Sequence, residues 1–88
     1  MAILWTETAR DQLADLYVAC PIDEREELIQ IIGIVEQLLL KNGNIIGESR
    51  GGSHRVFFAP RITVFFSLLN TGDIEIFRVR SSRKTGFD

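Results

Sequence analysis

Apolar and polar residues change their spacing twice along the chain. Ala2 to Trp5 is a short apolar run followed at once by a polar stretch, which predicts an N-terminal strand. Thr6 is placed to cap a helix through its hydroxyl, and Glu7 puts a negative charge in the first turn, where the helix dipole favours it. Ala9, Leu13, Leu16, Tyr17 and Cys20 then recur at the spacing of one helical face, with Arg10, Asp11 and Asp15 opposite. Pro21 ends this first helix.

A second helix is predicted from Asp23, with Glu26 three positions on as a variant capping box. Its buried stripe is Leu28, Ile31, Ile32, Val35, Leu38 and Leu39, and Asn42 with Gly43 ends it, since both tolerate a left-handed C-cap. Ile29, Ile34 and Leu40 fall off that stripe. A domain this small cannot surround a helix that is apolar over most of its circumference, so these three residues are expected to meet a partner.

Asn44 to Ser53 contains Gly47, Gly51 and Gly52 and reads as a loop. Residues 54–60 and 61–70 are rich in β-branched and aromatic residues, with Pro60 at the turn between them, and Asn70 to Asp73 forms a second tight turn. Residues 73–80 alternate: Ile74, Ile76 and, approximately, Arg78 on one side, Glu75, Phe77 and Val79 on the other, with another register open because both faces carry apolar residues. The expected fold is a single α+β domain over residues 1–88: an N-terminal strand, a helical hairpin, then a three-stranded antiparallel meander packed on the helices.

The net charge of −2 conceals a division. Residues 1–47 carry three basic and eight acidic side chains, a charge of −5, whereas residues 48–88 carry seven basic and four acidic, a charge of +3. Such asymmetry points to an anionic partner for the second half. Cys20 is the only cysteine, which rules out an internal disulfide and a cysteine zinc site and suits a reducing, cytoplasmic compartment. The apolar runs fall well short of the ~18–20 residues of a membrane span, so no membrane association is expected.

Conventional catalytic signatures are lacking. The glycines carry no Lys-Ser/Thr continuation of a phosphate-binding loop, and no nucleophile elbow frames Ser49, Ser53 or Ser67. His54, the one histidine, excludes a histidine-rich metal centre; it remains a candidate general base, although a lone histidine beside a loop is more often a surface group. No cofactor or metal is expected. The arginines remain: Arg55, Arg61, Arg78, Arg80, Arg83 and Lys84 lie on or just beyond consecutive strands, where guanidinium groups can hold phosphates or stabilise charge during strand cleavage. Phe57, Phe58 and Phe87 are candidates to stack on bases, while Phe65, Phe66 and Phe77 are expected in the core.

Several segments together resemble the RelE/ParE superfamily of toxin–antitoxin toxins. They are the opening strand running into Trp5-Thr6-Glu7-Thr8-Ala9, the Leu13/Leu16/Tyr17 helix, the second long helix, Gly-Gly-Ser-His-Arg-Val before the meander, and the closing Ile76-Phe77-Arg78-Val79-Arg80-Ser81-Ser82-Arg83. The likeness spans residues 2–84. It implies a compact bacterial toxin neutralised by a cognate antitoxin, with DNA gyrase or the ribosome and its mRNA as target. Arg61 would match the arginine opening the middle strand, and Arg78 and Arg83 those of the closing motif, the three together being the candidate catalytic set. Arg55, Arg61, Arg80 and Lys84 would bind the target, and Ile29, Ile34 and Leu40 the antitoxin or a second copy in a homodimer. Ser81 stands where the family often has histidine, and Phe87 roughly where ribosome-dependent members place a tyrosine. Those departures favour a toxin acting by binding, with an mRNA endonuclease and a non-toxic interaction module as the alternatives.

Overall fold

The structure, a computed structural model, describes residues 2–42, 48–49 and 54–81. Strand β1 (Ile3–Trp5) leads into helix α1 (Glu7–Ala19); a 3-10 turn (Ile22–Glu24) opens helix α2 (Arg25–Asn42); β2 (Glu48–Ser49), β3 (His54–Phe58), β4 (Ile62–Leu68) and β5 (Ile74–Ser81) follow. The sheet order is β1-β5-β4-β3-β2, antiparallel throughout except that β1 runs parallel to β5. The meander and hairpin match the sequence reading. Two residues of the expected 44–53 loop form the edge strand β2; the remainder of that loop, and Gly43, lie outside the described residues.

Local chemistry explains the helix ends. Thr6 caps α1, its Oγ1 accepting from the Ala9 amide at 3.1 Å. The last carbonyls of α1 have no basic residue of their own helix to complement them, and Arg25 of α2 supplies one. Its guanidinium donates to the carbonyls of Val18 at 3.1 Å and Cys20 at 3.2 Å and lies 5.0 Å from the Tyr17 ring centre. The expected Asp23 capping box does not form. Residues 22–24 wind as a 3-10 turn after Pro21, with no side-chain cap, and α2 begins two residues later than Asp23.

The core lies between the hairpin and one face of the sheet. Leu28, Val35 and Leu39 of α2 and Ala9 of α1 meet Ile62, Val64 and Phe66 of β4 and Ile74, Ile76 and Val79 of β5, all buried. Each large side chain contributes about 1.5–3 kcal/mol through this burial. Tyr17 does not join it and is exposed. The parity expected for β5 is corrected by a bulge. Phe65 faces Arg78 while Phe66 faces Ile76, which leaves Phe77 without a partner on β4. The extra residue shifts the alternation, so Val79 points into the core and Arg78 away from it. Phe77 and Phe65 are correspondingly only half-buried, and of the three phenylalanines expected in the core Phe66 alone is there.

Candidate functional site

The sheet face turned away from the helices carries a cationic and aromatic cluster. Cross-strand pairing sets out its rows: Phe58, Thr63 and Arg80; Val56, Phe65 and Arg78; His54, Ser67 and Glu75. Thr63 and Ser67, small and polar, are buried between their larger neighbours. The guanidinium carbons of Arg78 and Arg80 lie 5.1 and 5.6 Å from the centre of the Phe65 ring. Phe77 joins this ring to the histidine, with its centroid 6.4 Å from that of Phe65 and 5.0 Å from that of His54. Both arginines are exposed, as are His54 and Phe58. The phenyl quadrupole attracts each guanidinium by about 0.5–1 kcal/mol at such exposed sites. A guanidinium stacked on a ring keeps its in-plane N–H donors available for an anion.

The six basic residues expected to converge are not all on this face. Arg61 sits at the β3–β4 turn and reaches the helical layer, where it pairs with Glu24 at 2.8 Å and Glu27 at 3.2 Å. Desolvation acts to lower its pKa, but the Glu24 hydrogen bond and the charges of Glu24 and Glu27 outweigh it, and the net shift is upward. Its backbone has φ 74°, the left-handed value that follows Pro60 in a type II-like turn and that glycine ordinarily fills. Arg55 pairs across from Phe66 and so belongs to the helix-facing side of β3. Arg83 and Lys84, like Phe87, lie outside the described residues. Phe58 is exposed on the open face, while Phe57 packs against the core.

The second surface is the outer side of the hairpin. Ile29, Ile34 and Leu40 are 56, 58 and 43% exposed, and Val18 is 70% exposed. Ile29, Tyr17 and Val18 line an apolar groove between α1 and α2 with Leu13 and Ile32 beneath. Among the described residues no cluster of histidine, cysteine and carboxylate side chains could hold a metal, and no helix is long and apolar enough to cross a membrane.

No protein-family model matches this sequence, and no curated protein matches it. Comparison with solved structures does find a match. A chain of the chromosomal ParDE TA system from P. aeruginosa superposes with a TM-score of 0.76, covering 94% of this chain and 97% of that one at 20% identity. The fold is RelE/ParE-like. At that identity the likeness resides in the order and packing of elements rather than in shared side chains. In this RelE/ParE-like fold the open sheet face and the outer side of the hairpin are opposite surfaces, one cationic and aromatic, the other apolar with acidic flanks. Phe65 takes the open face by plain alternation with buried Val64 and Phe66 along β4, whereas Phe77 reaches it as the bulged residue of β5, and its signal in the sequence is that it interrupts an otherwise regular alternation of Ile74, Ile76 and Val79 with charged residues.

Proposed function

We propose that this chain is the toxin component of a toxin–antitoxin pair, a cytoplasmic protein that arrests bacterial growth by binding a nucleic-acid-bearing target through the open face of its meander. The observation that carries this reading is the pair of exposed guanidiniums, Arg78 and Arg80, held over the Phe65 ring. Two fixed cations over an aromatic platform suit a phosphate backbone with its bases. The ParDE likeness supports the toxin assignment at the level of fold. Arg83 and Lys84 follow β5 directly in sequence and would extend the same positive charge.

The antitoxin is the partner proposed for the hairpin, an amphipathic helix whose apolar side fills the groove at Tyr17, Val18 and Ile29. Leu40, further along α2 and also exposed, would lengthen that contact. Inducing the chain alone in a bacterium tests the proposal: growth arrest that disappears in the Arg78→Ala/Arg80→Ala variant at equal expression supports it, and unimpaired growth of the parent refutes it. Broken chromosomal DNA in arrested cells would assign the target to DNA gyrase, and truncated messages to the ribosome and its mRNA.

One observation favours an endonuclease as the second reading. His54, the only imidazole in the chain, shares the open face with Arg78 and Arg80 and is linked to them through Phe77 and Phe65. An imidazole can move a proton near neutral pH while arginines stabilise the charge on a phosphate. Message cleavage by the parent that is lost in His54→Ala, with the fold retained, would establish this reading.

A further inference from the structure

Gly33 occupies the middle of α2, and nothing among the described residues requires a glycine there. An added Cβ would meet no atom within 4 Å, and its backbone is helical. Glycine at such a position costs about 1 kcal/mol of helix stability relative to alanine. A missing side chain on an exposed helix is useful where another backbone must approach closely.

The residues around it have a symmetry of their own. Glu26, Gln30, Gly33, Ile34, Gln37 and Lys41 recur at steps of four, three, one, three and four, all exposed along one face of α2. Reading from either end, an acid faces a base, a glutamine faces a glutamine, and glycine faces isoleucine. The last five of them also rim a shallow open concavity.

From this we propose that α2 is a self-association surface on which a second copy of the chain docks antiparallel, about a twofold axis between Gly33 and Ile34. Glu26 of each copy then faces Lys41 of the other, and Gln30 faces Gln37, whose amides both donate and accept. Ile34 of each inserts over the other's Gly33, so an exposed apolar side chain fills the space the glycine leaves. Glu26 and Lys41 are 15 positions apart, about 22 Å along the helix, so both ion pairs form together only at a shallow crossing near 20°. A parallel arrangement would instead set Glu26 against Glu26, and charge complementarity therefore fixes the orientation. One helix from each copy gives an area at the low end for specific interfaces, so the dimer is expected to depend on concentration. Ile29 lies at the edge of this face, toward the α1–α2 groove. This face of α2 is separate from the open sheet face proposed to bind the target.

Sedimentation equilibrium from low-micromolar to millimolar protein tests it. The parent should pass from monomer to dimer, and Arg78→Ala/Arg80→Ala should do the same. Glu26→Lys and Lys41→Glu should each weaken self-association about tenfold by setting like charges together. An equimolar mixture of those two single variants should recover the parental affinity, because every contact in the mixed dimer again pairs opposite charges. Gly33→Leu should abolish dimerisation while its monomer unfolds at no lower temperature than the parent, since the added Cβ meets no described atom and leucine is the better helix former. A strict monomer at every concentration, or a dimer indifferent to both charge reversals, would overturn the proposal.

Discussion

Phe65 on β4 lies beneath the Arg78 guanidinium of β5, with 5.1 Å between the ring centre and the guanidinium carbon. The pair exists because the two residues are register partners on the face opposite the helices. Arg80 approaches the same ring from the next outward position of β5. Phe65→Leu should keep the strand and its burial but release both guanidiniums. Target affinity, read as the expression level needed for growth arrest, should fall several-fold, with unfolding free energy lowered by no more than about 1.5 kcal/mol because the ring is only half-buried.

Arg78→Ala and Arg80→Ala should separate function from folding. Both side chains are exposed, so each substitution should alter unfolding free energy by no more than about 0.5 kcal/mol. Each arginine that neutralises a phosphate of a single strand should flatten the plot of log affinity against log salt by about 0.7 unit when removed. A salt titration of binding to single-stranded RNA measures this, and an unchanged slope in the double variant would show that the open face does not meet a phosphate backbone.

At Arg61 two opposed effects share one residue. Its left-handed backbone costs about 1–2 kcal/mol for a residue with a Cβ, whereas its ion pairs with Glu24 and Glu27 fasten the β3–β4 turn to the start of α2. Arg61→Ala loses the ion pairs and keeps the strained φ; Arg61→Gly loses the ion pairs but relieves the strain. Urea unfolding should therefore rank parent or glycine above alanine, with glycine about 1 kcal/mol more stable than alanine. An alanine variant as stable as the glycine one would show that the turn relaxes to another conformation.

The Trp5 indole donates to Glu36 Oε2 at 2.8 Å and ties the edge strand β1 to α2. Glu36→Ala leaves the half-buried indole N–H unpartnered and should cost about 1–3 kcal/mol, whereas Glu36→Gln retains an acceptor oxygen and should cost less. Thermal denaturation of the two variants, followed by tryptophan fluorescence from the chain's only tryptophan, makes the comparison direct.

Gln12 performs a similar office for β5. Its Oε1 accepts from the Val79 amide at 2.9 Å, three residues past Ile76, the last residue of β5 that β1 pairs with. Gln12→Ala should accelerate hydrogen exchange at Val79 more than at Val64, whose strand is flanked on both sides.

Much of the architecture was legible because its causes are local. The helical spacing of Leu28, Val35 and Leu39, the Thr6 cap and the turn at Pro60 are properties of neighbouring residues, and the structure has them where the sequence indicates. The exposure of Ile29, Ile34 and Leu40 follows from the same spacing. What escaped depends on residues far apart in the chain. Pairing of β1 with β5 joins Ile3 to Ile74, and no composition signals it. Arg61 looked like one more member of a cationic sheet until a positive φ at the turn directed it to Glu24, and Glu24, expected in the first turn of α2, sits in the 3-10 turn that precedes the helix. Arg25 joins the two helices of the hairpin by way of the Val18 and Cys20 carbonyls, a contact that no apolar spacing signals.

Without Phe77, the last strand would run Ile74, Glu75, Ile76, Arg78, Val79, Arg80, inward and outward in strict turn, against the same partners on β4 that it has now. Phe77 is thus a supernumerary residue, one that neither the ladder nor the core requires. Its ring spans the gap between the imidazole of His54 and the Phe65 platform, so the open face acquires its middle aromatic by insertion rather than by substitution. A strand shortened by this one residue would fold on the same register and present its two arginines unchanged, but the histidine would stand apart from them.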